Sequence, residues 1–199
     1  MFKQIILTLS MIAFSICNVI AADEPDAEIH QELRGVLKQV ESAINSGNYD
    51  AMLPVLSENL RITPINQEFL SNRQEVSKYF NKWFGKGGYL KNLSISFTPD
   101  AVTELSSDKT WGLVWGNGKE DYILADGRKF ELLTRWTAVA VKEADGHWRI
   151  RSIHIGTNFL DNPILSMAGN SAKYFGIGGL VIGLLLGLGL ARFFRRTKK

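Results

Sequence analysis

Arg135-Trp136-Thr137-Ala138-Val139-Ala140-Val141-Lys142, a break at Glu143-Ala144-Asp145-Gly146, then Trp148-Arg149-Ile150-Arg151-Ser152-Ile153-His154 decides the fold. Aromatic and β-branched residues crowd both sides of a turn that ends in Gly, which is the pattern of two strands joined by a hairpin. The first of these strands reaches back to Phe130, and the second runs on to Ile155. Just upstream, Ala125-Asp126-Gly127 is another hairpin signal.

Working toward the N-terminus, the period stays at two. Tyr122 and Leu124 form a short run, Trp111, Leu113 and Trp115 another, and Leu93, Ile95 and Phe97 a third. Strands linked by tight turns pair antiparallel. Before Tyr89 the period becomes helical. Ile29, Leu33, Val36, Leu37, Val40 and Ile44 recur on one face, with Gly47 as a stop. His30 falls on the polar side of this helix. Asp50 opens a second, short helix carrying Met52, Leu53 and Leu56, and Pro64 interrupts an extended segment. Ser71-Asn72-Arg73-Gln74 reads as a capping box for a third helix with Val76, Tyr79, Phe80 and Trp83, ended by Gly85, Gly87 and Gly88. Helices first and strands after them predict an α+β domain, with three helices on one face of a curved antiparallel sheet.

This order resembles the nuclear transport factor 2-like superfamily, in particular its SnoaL-like members. The matching text is Ser46-Gly47-Asn48-Tyr49-Asp50-Ala51-Met52 between the first helices, Ser71 to Phe80, and the Arg135-to-His154 ending quoted above. The likeness covers residues 26 to 158. It implies a cone-shaped (cystatin-like) domain with a pocket between sheet and helices, and frequent dimerisation through the outer face of the sheet. It also implies that His154 turns toward the pocket. The superfamily holds isomerases, cyclases, dehydratases and members that only bind or assemble, so the fold alone does not give the function.

Candidate chemistry centres on the pocket. With no bulge, Trp148, Ile150, Ser152 and His154 share one face of the last strand. A histidine there can serve as a general base near neutral pH, which makes His154 the candidate catalytic residue. Proton-moving enzymes of this fold pair an Asp or His with a Tyr. Asp121 and Tyr122 alternate on a strand and cannot both face inward, whereas Glu120 and Tyr122 can. Tyr122 and Arg135 are candidate ligand-orienting groups. Trp83, Trp111 and Trp115 are candidate walls for a small apolar ligand. The three histidines lack metal-ligand spacing, so neither a metal nor a cofactor is expected.

The ends of the chain speak to location. Met1-Phe2-Lys3, an apolar Ile5-to-Ile20 run and the small residues Ala21-Ala22 have the layout of a signal peptide over residues 1–21, the alternative being an uncleaved anchor that would give two spans. Cleavage takes away Cys17, the only cysteine. At the other end, the uncharged run from Tyr174 to Ala191 is long enough to cross a bilayer. Arg192, Arg195, Arg196, Lys198 and Lys199 follow it and mark the cytoplasmic side. The expected order is signal peptide, periplasmic domain over 22–160, tether over 161–173, transmembrane helix over 174–193 and basic tail over 194–199. Gly179, Gly183 and Gly187 are spaced by four and offer a smooth stripe for a second helix.

The net charge of +3 is misleading. Residues 22–172 carry 16 basic and 20 acidic residues, a net −4. The basic excess is a membrane-topology signal, and no nucleic-acid partner is expected. Two functions remain: a membrane-anchored module that binds a small ligand or assembles with protein, and an isomerase- or dehydratase-like enzyme using acid–base chemistry. A homodimer through the sheet is expected, because Phe130 to Val141 is apolar on both faces, with Leu133, Val139, Val141, Ile153 and Ile155 outside.

Overall fold

The protein is described by a computed structural model covering residues 25–196. The expected signal peptide and the last residues of the basic tail lie outside the described residues.

Helix α1, Ala27–Ser46, lays Leu33, Val36, Val40 and Ile44 against the sheet. His30 sits on that same face, three residues before Leu33, and is buried rather than solvated. Gly47 closes the helix at φ 72°, in the left-handed region that glycine adopts without strain. A 3-10 helix, Tyr49–Val55, follows. Leu56, expected to end that helix, instead begins strand β1, Leu56–Thr63.

Helix α2, Arg73–Phe84, starts one residue later than the expected box. Asn72 is the cap: its Oδ1 accepts from the Glu75 amide at 2.9 Å. Glu75 Oε2 reaches back to accept from the Ser71 amide at 2.7 Å and from the Ser71 hydroxyl at 2.9 Å. The reciprocal logic of the capping box is intact, with Ser71 outside the cap position.

The strands are β2, Leu90–Pro99; β3, Glu104–Leu105; β4, Trp111–Leu124; β5, Lys129–Lys142; and β6, Trp148–Thr157. Their spatial order is β1-β6-β5-β4-β2, with β3 beside β4. The Trp111-to-Trp115 and Tyr122-to-Leu124 runs prove to be one 14-residue strand. Gly127 (φ 87°) and Gly146 (φ 85°) make the two hairpin turns. All pairings are antiparallel except β1 with β6, which is parallel.

Helix α1 is pinned to the edge strand. Asn45 accepts from the Ile95 amide at 2.6 Å and donates to the Ile95 carbonyl at 2.9 Å. Glu41 accepts from the Phe97 amide at 2.6 Å. These bonds occupy backbone groups that an edge strand would otherwise present to solvent, and they fix the helix over the inner face of the sheet.

Strand β6 carries one irregularity with large consequences. Val139 pairs with Ser152, but Ala140 pairs with Ile150, so Arg151 is an extra residue. Such a bulge reverses the facing of every residue beyond it. Ile153 and Ile155 therefore turn inward, toward the hydrophobic core, rather than extending an outer patch.

Helix α3, Pro163–Arg196, is 34 residues long and continuous through the stretch expected as a tether. Among the described residues it is the one helix long and apolar enough to cross a membrane.

Candidate functional site

On the inner face of β4, residues 118, 120, 122 and 124 point toward the helices by simple alternation. Two of them, Glu120 and Tyr122, form the floor of an apolar cavity of about 90 Å³. Leu93 and Ile95 of β2, Ile44 of α1, Tyr79 of α2 and Ile153 of β6 contribute to its walls. The bulge at Arg151 delivers that last residue.

Glu120 is only 3% exposed, the sole buried carboxylate among the described residues. Its Oε2 accepts a 2.5 Å hydrogen bond from the Tyr122 hydroxyl. Its Oε1 is buried with no hydrogen-bond partner, and so is Thr134 Oγ1 on the inner face of β5. Burial pushes the Glu120 carboxyl above the usual carboxylate range, and the nearby Tyr122 and Thr134 hydroxyls offset part of that rise. The Tyr122 and Tyr79 hydroxyls are pushed up as well, chiefly by burial and then by nearby carboxylates including Glu120. Both tyrosines stay protonated. The floor is thus a buried acid, harder to ionise than an exposed one, beside a fixed O–H donor, with one carboxyl oxygen lacking a well-formed hydrogen bond.

Chemically, such a group can do two things. It can hydrogen-bond a polar atom on an otherwise apolar molecule, or it can exchange a proton with that molecule.

Of the residues expected to line the pocket, Tyr122 does. His154 does not: the Arg151 bulge sends it to the outer face, where it pairs with Thr137 and is exposed. Trp111 and Trp115 occupy odd positions of β4 and also face outward, Trp111 at 48% exposure. Arg135 lies on the outer face too, donating to Asp100 Oδ2 at 2.5 Å and to Asn117 Oδ1 at 2.9 Å. Trp83 packs under the Lys82 ammonium at 4.8 Å and donates its indole N–H to Glu68 Oε1 at 2.7 Å, away from the cavity. Tyr79 and Thr134 were not among the expected site residues. Tyr79 stands at helical spacing with Val76 and Phe80, which hides a pocket tyrosine among core residues.

No family model and no curated protein matches the chain. Solved structures do. A nuclear transport factor 2-like superfamily protein from Salmonella enterica superposes with a TM-score of 0.55 at 13% identity, over 66% of this chain and 92% of that one. A hexachlorocyclohexane dehydrochlorinase gives 0.59 at 10% identity, over 67% and 87%. A ketosteroid isomerase-like protein from Erwinia carotovora gives 0.55 at 12% identity, over 65% and 96%. Likeness at this identity carries the architecture alone, and on it the chain is an α+β domain of the nuclear transport factor 2-like, or cystatin-like, fold with an apolar C-terminal helix attached.

Proposed function

We propose that the chain is a membrane-anchored domain that takes a small, largely apolar ligand into the Glu120–Tyr122 cavity and holds it without changing it. One observation carries the reading: Glu120 Oε1 is buried among largely apolar walls without a well-formed hydrogen bond, the Thr134 hydroxyl being the polar group near it. Buried polar groups are normally satisfied, and leaving one unpaired costs about 1–3 kcal/mol. A ligand with an apolar body and one hydrogen-bonding group supplies the missing partner.

The anchoring reading rests on α3 and on the Lys and Arg cluster that follows it. That order favours a periplasmic domain, an inner-membrane helix and a cytoplasmic tail. Two surfaces favour self-association. Leu133, 69% exposed, and Trp111 stand on the outer sheet face. Gly179, Gly183 and Gly187 line one side of α3.

A second reading, an isomerase- or dehydratase-like enzyme, draws on the same pair. A carboxyl with a raised pKa beside a tyrosine O–H is suited to proton transfer. With His154 on the outer face, no second titrating base lines the cavity, which favours binding.

Native mass spectrometry of the full chain released from detergent micelles tests both. A co-purified molecule whose occupancy falls in Glu120→Gln, and which is recovered unchanged after incubation, supports the binding module. Conversion of that molecule by the wild type but not by Glu120→Gln supports the enzyme. A cavity that is empty in every preparation and takes up no phenol from solution overturns both.

A further inference from the structure

Ile150 and Ile153 form a ridge shared by two chambers. One is the Glu120 cavity. The other, of about 320 Å³, lies under the N-terminal half of α1 and the loop after β2. Its walls include Leu33, Leu37, Val102, Trp136 and Ala138. The ridge exists because of the Arg151 bulge, which brings residues three apart onto one face of β6.

The polar chemistry of this second chamber is the opposite of the first. No Asp or Glu lines it. His30 does, at 7% exposure, and its ring makes no hydrogen bond among the described residues. Arg34, one turn further along α1, lines the same space, with its guanidinium 3.3 Å from Gln31 Oε1. In either protonation state an imidazole keeps at least one N–H donor. A largely buried imidazole whose ring has no acceptor, with a guanidinium one turn away and apolar walls around it, is arranged to receive an acidic head on an apolar body.

We propose that this chamber is a second binding site, selective for small carboxylic acids with an apolar aryl or alkyl body, with His30 as the group that holds the carboxylate. Its volume sits at the lower end of ordinary ligand pockets, which begin at about 300 Å³. The Glu120 cavity disfavours such a ligand, because its lining holds an acid and no cation to offset the cost of burying a second carboxylate. The two sites therefore sort ligands by charge, and this proposal stands independently of the one made for Glu120.

The test uses the full chain in zwitterionic nanodiscs, with empty nanodiscs as the blank. 4-Phenylbutyrate and its neutral amide are titrated by calorimetry. The acid should bind saturably and about tenfold or more tighter than the amide, the worth of one hydrogen bond to a charged group. His30→Phe, which keeps the volume and removes the donor, should lose that advantage. His30→Gln should retain most of it. Val102→Phe, on the exposed loop wall, should weaken the acid without touching the sheet, and Glu120→Gln should leave its affinity unchanged. Circular dichroism melts establish that each variant is folded. Absence of saturable binding, equal affinity for acid and amide, or loss in Glu120→Gln with retention in Val102→Phe would each overturn the assignment.

Discussion

Tyr122 reaches back two residues along its own strand to donate its hydroxyl to Glu120 Oε2 at 2.5 Å. The pair lies on one face of β4 because side chains of a strand repeat every second residue. It lies on β4, between β5 and β2 and under the helices, and both groups are buried, so they are desolvated together. That desolvation has a stability signature. Glu120 titrates higher in the folded chain than in the unfolded one. The folded state then holds more protons than the unfolded state over that interval, and stability falls as pH rises from about 4.5 through the folded pKa. Urea midpoints of the wild type should decline as pH rises above about 4.5 more steeply than those of Glu120→Gln. Equal slopes would mean that the carboxyl is not held protonated.

His154→Gln should be close to silent. The side chain is exposed on the outer face, and substitutions at such positions shift stability by about 0.5 kcal/mol or less. Uptake of any ligand into the Glu120 cavity should match the wild type. A loss of tenfold or more in ligand affinity, with the melt unchanged, would return His154 to the site.

The same histidine shows where the sequence stops being readable. Alternation placed the strands, the two Gly turns and the Glu120–Tyr122 facing, because each depends only on local spacing. It also placed Ser152 and His154 inward, and that failed at one residue. Nothing in Arg149-Ile150-Arg151-Ser152 marks a bulge; it emerges from the pairing of β6 with β5, which is a tertiary choice. His30 is a similar case. It continues the Leu33–Leu37 stripe by one turn, but a polar residue at the start of a helix carries no sign of what will cover it. Trp111 and Trp115 were legible as strand residues and not as outward ones, since either face of a strand can hold a tryptophan. The Asn72 cap slipped by one position because Ser71 and Asn72 are both good caps and only Glu75 decides between them.

Asn72→Ala should confirm that decision. Its Oδ1 holds the Glu75 amide, and removing such a cap costs about 1 kcal/mol. Ser71→Ala leaves the Asn72 bond in place and should cost less. If Ser71→Ala proved the more damaging by chemical denaturation, the helix would begin at the box read from the sequence.

Gly116→Ala should be among the most damaging single-methyl changes in the sheet. An added Cβ would lie 2.2 Å from the Thr98 carbonyl oxygen and 2.8 Å from the Trp136 ring. Backbone on the edge strand cannot swing aside as a side-chain tip can, so the expected loss is about 1–3 kcal/mol, the usual range for overpacking. Gly156→Ala, where a Cβ meets nothing within 4 Å, is the matched control and should be nearly neutral. Comparable melting temperatures for the two variants would show that β2 and β4 sit further apart than described.

Helix α3 makes the last prediction one of orientation. At about 1.5 Å per residue its 34 residues extend roughly 50 Å, whereas a hydrocarbon core needs about 30 Å. The apolar part fills the later portion of the helix, from Tyr174 to Ala191, and the charged residues follow directly at Arg192. Lys and Arg close to a span are retained on the cytoplasmic side. On the proposed topology the folded domain, which precedes the span, lies across the membrane from them. A reporter active only outside the cytoplasm should therefore be active when fused at Asn162 and silent when fused after Lys199. Replacing Arg192, Arg195, Arg196, Lys198 and Lys199 together with Gln removes the orienting charge, and the contrast between the two fusions should weaken. Activity at Lys199 with silence at Asn162 in the unaltered chain would place the Glu120 and His30 chambers in the cytoplasm and overturn the proposed location.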